Sequence, residues 1–78
     1  MTYYVFKNRR NGKYISGTNF NYDKYKQILA DSYRPPKLMA SDLEVEYEMI
    51  HRRINPATYK VVEVELREVE QDKAMKII

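Results

Sequence analysis

The sequence predicts an α+β domain: an antiparallel sheet of three or four strands with one main helix packed on one face. Three observations predict it. Residues 2–7 and 59–69 are rich in β-branched and aromatic side chains, the second run with a period of two. An Asn11-Gly12 pair sits between the first of these runs and another at residues 13–16, a strong hairpin signal because both residues accept positive φ. One stretch, residues 41–54, carries helix start and stop signals around a repeat near 3.6. At 78 residues there is room for one domain with a modest core. It is expected over residues 1–70, with 71–78 as a flexible C-terminal tail.

With a hairpin loop of two or four residues, alternation assigns Tyr4, Phe6, Ile15 and Gly17 to one face, the expected core side, whereas a three-residue loop would flip the pairing. Tyr3, Val5, Lys7, Arg9, Tyr14 and Ser16 then share the other face. Residues 18–37 are interrupted by Asn19, Asn21, Asp23 and Asp31 and closed by Pro35-Pro36. Within them Gln27-Ile28-Leu29 fits a short strand or a helical turn, and the choice stays open. Residues 37–40 read as an extended lead into the helix.

That helix begins at a capping box, the Ser41 hydroxyl accepting from the Glu44 amide while the Glu44 carboxylate reaches back. Leu43, Tyr47, Ile50 and Ile54 fall within about 60° around the axis, so they are the expected buried stripe. Asp42 and Glu44 at the start, with His51, Arg52 and Arg53 at the end, suit the helix dipole, and Asn55-Pro56 stops the chain. On the far side lie Val45 and Met49, flanking Arg52. They are either covered by residues 18–37 or form a secondary partner surface, for a protein or for a second copy in a homodimer. In the last strand Val62, Val64 and Leu66 alternate with Val61, Glu63, Glu65 and Arg67, and the apolar set is expected in the core beside the hairpin.

Charge and aromatics divide the chain. The first 40 residues hold eight of the ten aromatics and eight Lys/Arg against two acids, while the last 38 hold six Lys/Arg against nine acids. Cations interleaved with tyrosines suit nucleic acid, the cations meeting phosphates and the rings stacking on bases. The hairpin cluster of Tyr3, Lys7, Arg9, Arg10, Lys13 and Tyr14 is the candidate partner or nucleic-acid surface, with Lys24 and Lys26 as additions. The same cations would also steer an acidic protein partner, or simply keep a hairpin end soluble.

Chemistry finds little purchase. There is no cysteine, hence no disulfide, thiolate nucleophile or thiolate metal site, and two glycines cannot build a phosphate loop. His51, the lone histidine, sits at a helix end, and Glu63 with Glu65 fits the solvated face of a strand better than an acid/base pair. No catalytic residue, metal or cofactor is expected, and the chain is read as a non-enzyme. No apolar run approaches the roughly 18 residues of a membrane span, and the N-terminus lacks a leader pattern. No membrane association and a cytoplasmic location follow as expectations.

Tyr3-Tyr4-Val5-Phe6-Lys7-Asn8, then Asn11-Gly12-Lys13-Tyr14-Ile15-Ser16-Gly17-Thr18, Pro35-Pro36, and Tyr59-Lys60-Val61-Val62-Glu63-Val64 after a charged helix together resemble the small accessory proteins encoded by phages and prophages of Gram-positive bacteria. The resemblance covers most of the chain as an order of strands and turns. It implies a bacterial host cytoplasm and a role in host takeover, defence inhibition or regulation, the partner being a host or defence protein. It brings over no catalytic or binding residue. The expected function is therefore non-enzymatic protein binding, with a small nucleic-acid-binding module as the alternative. If the Ile50 stripe is core, Ile50→Ala costs on the order of 2–5 kcal/mol, read from circular dichroism melts.

Overall fold

The computed structural model of the protein describes residues 1–21 and 23–66. The elements run β1 (Thr2–Asn8), β2 (Ile15–Asn19), β3 (Lys26–Leu29), α1 (Asp42–His51) and β4 (Tyr59–Glu65). This is a small α+β fold with one helix and two antiparallel sheets of two strands each, among the described residues. The open choice at Gln27-Ile28-Leu29 resolves as strand β3. The expected tail at 71–78, and residues 67–69 of the expected last strand, lie outside the described residues.

The turn forms where Asn11-Gly12 predicts it. Gly12 takes φ +72°, and the Asn8 side-chain oxygen accepts from the amides of Arg10 (2.9 Å) and Asn11 (3.1 Å). The strands then part. One bridge, Lys7 to Tyr14, joins β1 to β2, beside a bond from the Asn8 amide to the Lys13 carbonyl (2.7 Å). Instead of one sheet of three or four strands, β1 pairs with β4 and β2 pairs with β3.

The cause is the stretch after Pro35-Pro36. Proline has no N–H to give a ladder, so pairing starts at Lys37, whose amide donates to the Ile15 carbonyl (2.9 Å). Two residues on, Met39 and Tyr4 exchange both backbone bonds (2.8 and 2.9 Å). This crossing occupies the edge of β1 that a continuous hairpin would have used. Just before it, the Asp31 carboxylate accepts from the amides of Tyr33 (2.8 Å) and Arg34 (2.9 Å). Those bonds, the Tyr33 one foremost, hold its pKa below the ordinary 3.8. The folded value lies under the unfolded one, so the stability this turn adds is full above about pH 4 and lost as pH falls through the folded value.

Both faces of β1 are consequently covered. Phe6 on one face joins Ile15, Met39, Val45 and Ile54 in the core, with Tyr4, Leu29, Met49 and Tyr59 packed around it. Val5, expected outward, is only 2% exposed. The register sets Val62 opposite Val5 and Val64 opposite Tyr3. Residues directly opposite share a face, so these two valines back Val5 rather than Phe6. Leu66 is exposed. Of the expected core, Tyr4, Phe6, Ile15 and Ile54 are confirmed, and the placement of Val62, Val64 and Leu66 is corrected.

The helix is turned over relative to expectation. Val45 and Glu48 are buried and Met49 packs on the core, while Leu43, Tyr47 and Ile50 are 78%, 61% and 79% exposed. Its start is as predicted, the Ser41 hydroxyl accepting from the Glu44 amide (3.2 Å), though the Glu44 carboxylate closes on the Ala40 amide (2.8 Å). Its end comes sooner than Asn55-Pro56. Arg53 adopts φ +50°, its amide donates to the Ile50 carbonyl (3.2 Å) and the Ile54 amide donates to the Met49 carbonyl (2.9 Å). This is a Schellman closure, which brings Ile54 back against Met49. Ile54 thus leaves the predicted stripe and enters the core from the opposite side.

On this packing Phe6→Ala costs about 3–5 kcal/mol, whereas Ile50→Ala stays within about 0.5 kcal/mol of wild type. Urea denaturation of the two variants checks the assignment, and a large loss in Ile50→Ala would reverse it.

Candidate functional site

The predicted basic and aromatic cluster is only partly assembled. Lys7 lies over the Tyr14 ring at 5.7 Å, at the bridge between β1 and β2. Tyr14 itself is half-buried and, with Val5, Pro35, Pro36, Leu38, Val64 and Leu66, lines an apolar groove of about 310 Å³. Tyr3 sits at the other end of β1, its hydroxyl donating to the Met1 sulfur (2.7 Å). Val5, between Tyr3 and Lys7 on that face, is covered, so rings and cations do not form one continuous surface. Arg9 is tied down, its Nε donating to the Pro56 carbonyl (3.1 Å) and its amide to the Thr58 carbonyl (2.9 Å). Arg10 and Lys13 are exposed, and a polar cleft of about 480 Å³ runs between Arg9, Arg10, Asn11 and the Ala57–Thr58 turn.

The predicted secondary surface faces inward. Val45 and Met49 pack in the core, and Arg52 Nε donates to the Glu48 carboxylate, with Lys37 3.9 Å away. Val45, Glu48, Met49 and Arg52 occupy one side of the helix because a buried carboxylate finds two cations there and two apolar side chains meet Phe6 and Ile15. Gln27 Nε2 donates to the Arg52 carbonyl (2.8 Å), fixing the helix end to β3. These three residues are corrected from partner surface to core and its charged lining.

What lies outward is the stripe read as core. Leu43, Tyr47 and Ile50 stand about 180° around the axis from Val45, Glu48, Met49 and Arg52. Beside them Tyr47 and His51 stack, with ring centroids 5.3 Å apart and planes 18° apart, and His51 meets Phe20 at 5.1 Å. Phe20 packs edge-on against Tyr25 at 4.9 Å, and the Arg53 guanidinium covers Tyr25 at 4.4 Å. The patch is thus Leu43, Tyr47 and Ile50, extended by His51 and the exposed Phe20. Its signal was present in the 3.6 repeat, but that repeat does not say which of two opposed stripes is turned inward.

No group of three His, Cys, Asp or Glu side chains fit to hold a metal occurs among the described residues. Glu63 and Glu65 are exposed on β4. No described helix is long and apolar enough to cross a membrane. Neither a family model, nor a curated protein, nor a solved structure matches the chain.

Arg53 holds a left-handed backbone that glycine adopts without steric cost. Arg53→Gly is therefore about 1 kcal/mol more stable than Arg53→Ala, since both lose the Tyr25 contact and only alanine keeps the strain. Paired urea titrations measure the difference. Equal stabilities would mean the position carries no strain.

Proposed function

We propose that this chain is a small non-enzymatic protein-binding module whose docking element is the outer face of α1. One observation carries the reading: Leu43, Tyr47 and Ile50 stand in solvent while the same helix buries an ion pair. Each such side chain forgoes about 1.5–3 kcal/mol of burial, free energy that association regains. Contiguous apolar surface on a small domain marks an interaction site. The resemblance to phage and prophage accessory proteins supplies the setting, a bacterial cytoplasm in which the partner is a host or defence protein and the chain its inhibitor or regulator.

A photocrosslinking residue in place of Tyr47, in lysate of a Gram-positive host, is expected to give a discrete adduct identifiable by mass spectrometry. The adduct disappears when Leu43→Glu is added and does not form from the same crosslinker at Glu63. Adducts equal at the two sites would remove α1 as the docking element.

A second reading is favoured by the exposed Arg10 and Lys13 beside the Lys7–Tyr14 pair: contact with nucleic-acid phosphates. It requires oligonucleotide binding at about 50 mM salt that weakens steeply with added salt and is lost in Arg10→Glu. Salt-independent or absent binding ends it.

A further inference from the structure

We infer that the side of the β1–β4 sheet that carries Val5 binds a single-chain alkyl carboxylate, its apolar body in the groove beside Tyr14 and its charged end on Lys7 and Lys60. The register carries the inference. On this side β1 presents Tyr3, Val5 and Lys7, and β4 sets Val64, Val62 and Lys60 opposite them. Glu63 and Glu65 stand opposite Tyr4 and Thr2, so both carboxylates belong to the other side. Two lysines therefore face each other directly, an arrangement that costs stability, and neither is in an ion pair among the described residues. Lys7 is half-buried, with the Tyr14 ring 5.7 Å away. An anion set between the two ammonium groups removes their repulsion.

The apolar part begins one row further along the same side. Tyr14, bridged to Lys7, marks the charged end of the groove, Val5 and Leu38 line it, and Val64 and Leu66 lie toward its far end. From Val62 to Leu66 the chain runs about 13 Å, the span of an extended alkyl chain of about ten carbons. The volume of about 310 Å³ is at the lower end of the roughly 300–1,000 Å³ of small-ligand sites.

The backbone decides what that body can be. Both edges of β1 are already bonded, one to β4 and the other to Met39, and apart from the Tyr14 hydroxyl every side chain lining the groove is apolar. A peptide laid there would bury amide groups without partners. A hydrocarbon chain has none to bury, and its one polar group falls at the end where the lysines stand.

The full chain, isotopically labelled in its methyl groups, is titrated with hexanoate, octanoate and decanoate at neutral pH and read by nuclear magnetic resonance. Methyl signals of Val5, Leu38, Val64 and Leu66 should move while those of Leu43 and Ile50 on α1 stay in place. Affinity should rise about fourfold with each added methylene, reaching a Kd of about 0.01–1 mM for decanoate. Lys7→Gln combined with Lys60→Gln should weaken decanoate by about tenfold or more, to the level of decanol, with a thermal melt no lower than wild type. Leu66→Glu, at an exposed position, should weaken decanoate more than hexanoate, because only the longer chain reaches it.

Absence of groove shifts up to about 10 mM decanoate, ten times the weakest affinity expected, overturns the inference. Equal shifts at Leu43 and Ile50 overturn it too, as adventitious binding to any exposed apolar surface. Decanol binding as tightly as decanoate removes the lysines from the site and overturns it. Phosphatidylglycerol vesicles that move these methyl signals when decanoate does not would make this side a membrane contact instead. Each of these outcomes leaves the crosslinking test of α1 standing.

Discussion

The two backbone bonds between Tyr4 and Met39 are the constraint on which the rest of the molecule depends. They draw residues 37–39 across the edge of β1, which parts β1 from β2 and leaves β1 with ordered partners on both edges. A polypeptide crossing there covers Val5 from one side, and Met39 itself fills the core from the other. It also sets where α1 starts, two residues further on at the Ser41 cap. Backbone groups that would otherwise need water are satisfied by this one exchange, which is why so short a chain can build around it.

From that start the helix has to choose a face. Lys37, delivered by the same crossing, stands 3.9 Å from Glu48. A carboxylate turned inward with Arg52 and Lys37 around it is tolerable, whereas one turned inward alone is not. The Schellman turn completes the choice, because the left-handed Arg53 sends Ile54 back over Met49. Orientation is therefore held at two points of the inward face, by the ions around Glu48 and by an apolar clasp at the C-terminal end. The aliphatic stripe is what remains outside.

Local signals in the sequence were accurate where local chemistry decides. Asn11-Gly12 marked the turn, Ser41 and Glu44 marked the cap, and residues 59–69 marked the strand that forms as β4 over Tyr59–Glu65, each settled by neighbours a few positions away. Partners distant in sequence decided the rest. Whether Val62 faces Phe6 or Val5 is set by the register between β1 and β4, more than fifty residues apart along the chain, and period-two alternation is silent about it. The hairpin failed for the same reason, its edge having been taken by residue 39. For the candidate site, the basic cluster was legible as composition but not as a surface, because Val5, between Tyr3 and Lys7, is buried where segments some thirty and sixty residues downstream meet β1. The helix stripe was legible as a stripe and assigned to the wrong side, since Leu43, Tyr47 and Ile50 outweigh Val45 and Met49 in any apolar count.

An inverted helix responds to its solvent in an unusual way. Its inward face is held partly by charges that lie close together under cover, where added electrolyte screens little. Salts that strengthen apolar burial act instead on the exposed side, where Leu43, Tyr47 and Ile50 have something to gain. Concentrated sulfate or phosphate would therefore not roll the helix over to hide that stripe within its own chain. It would drive the stripe toward whatever else can cover it, so the solubility of this protein in such salts reports on the helix rather than on its net charge.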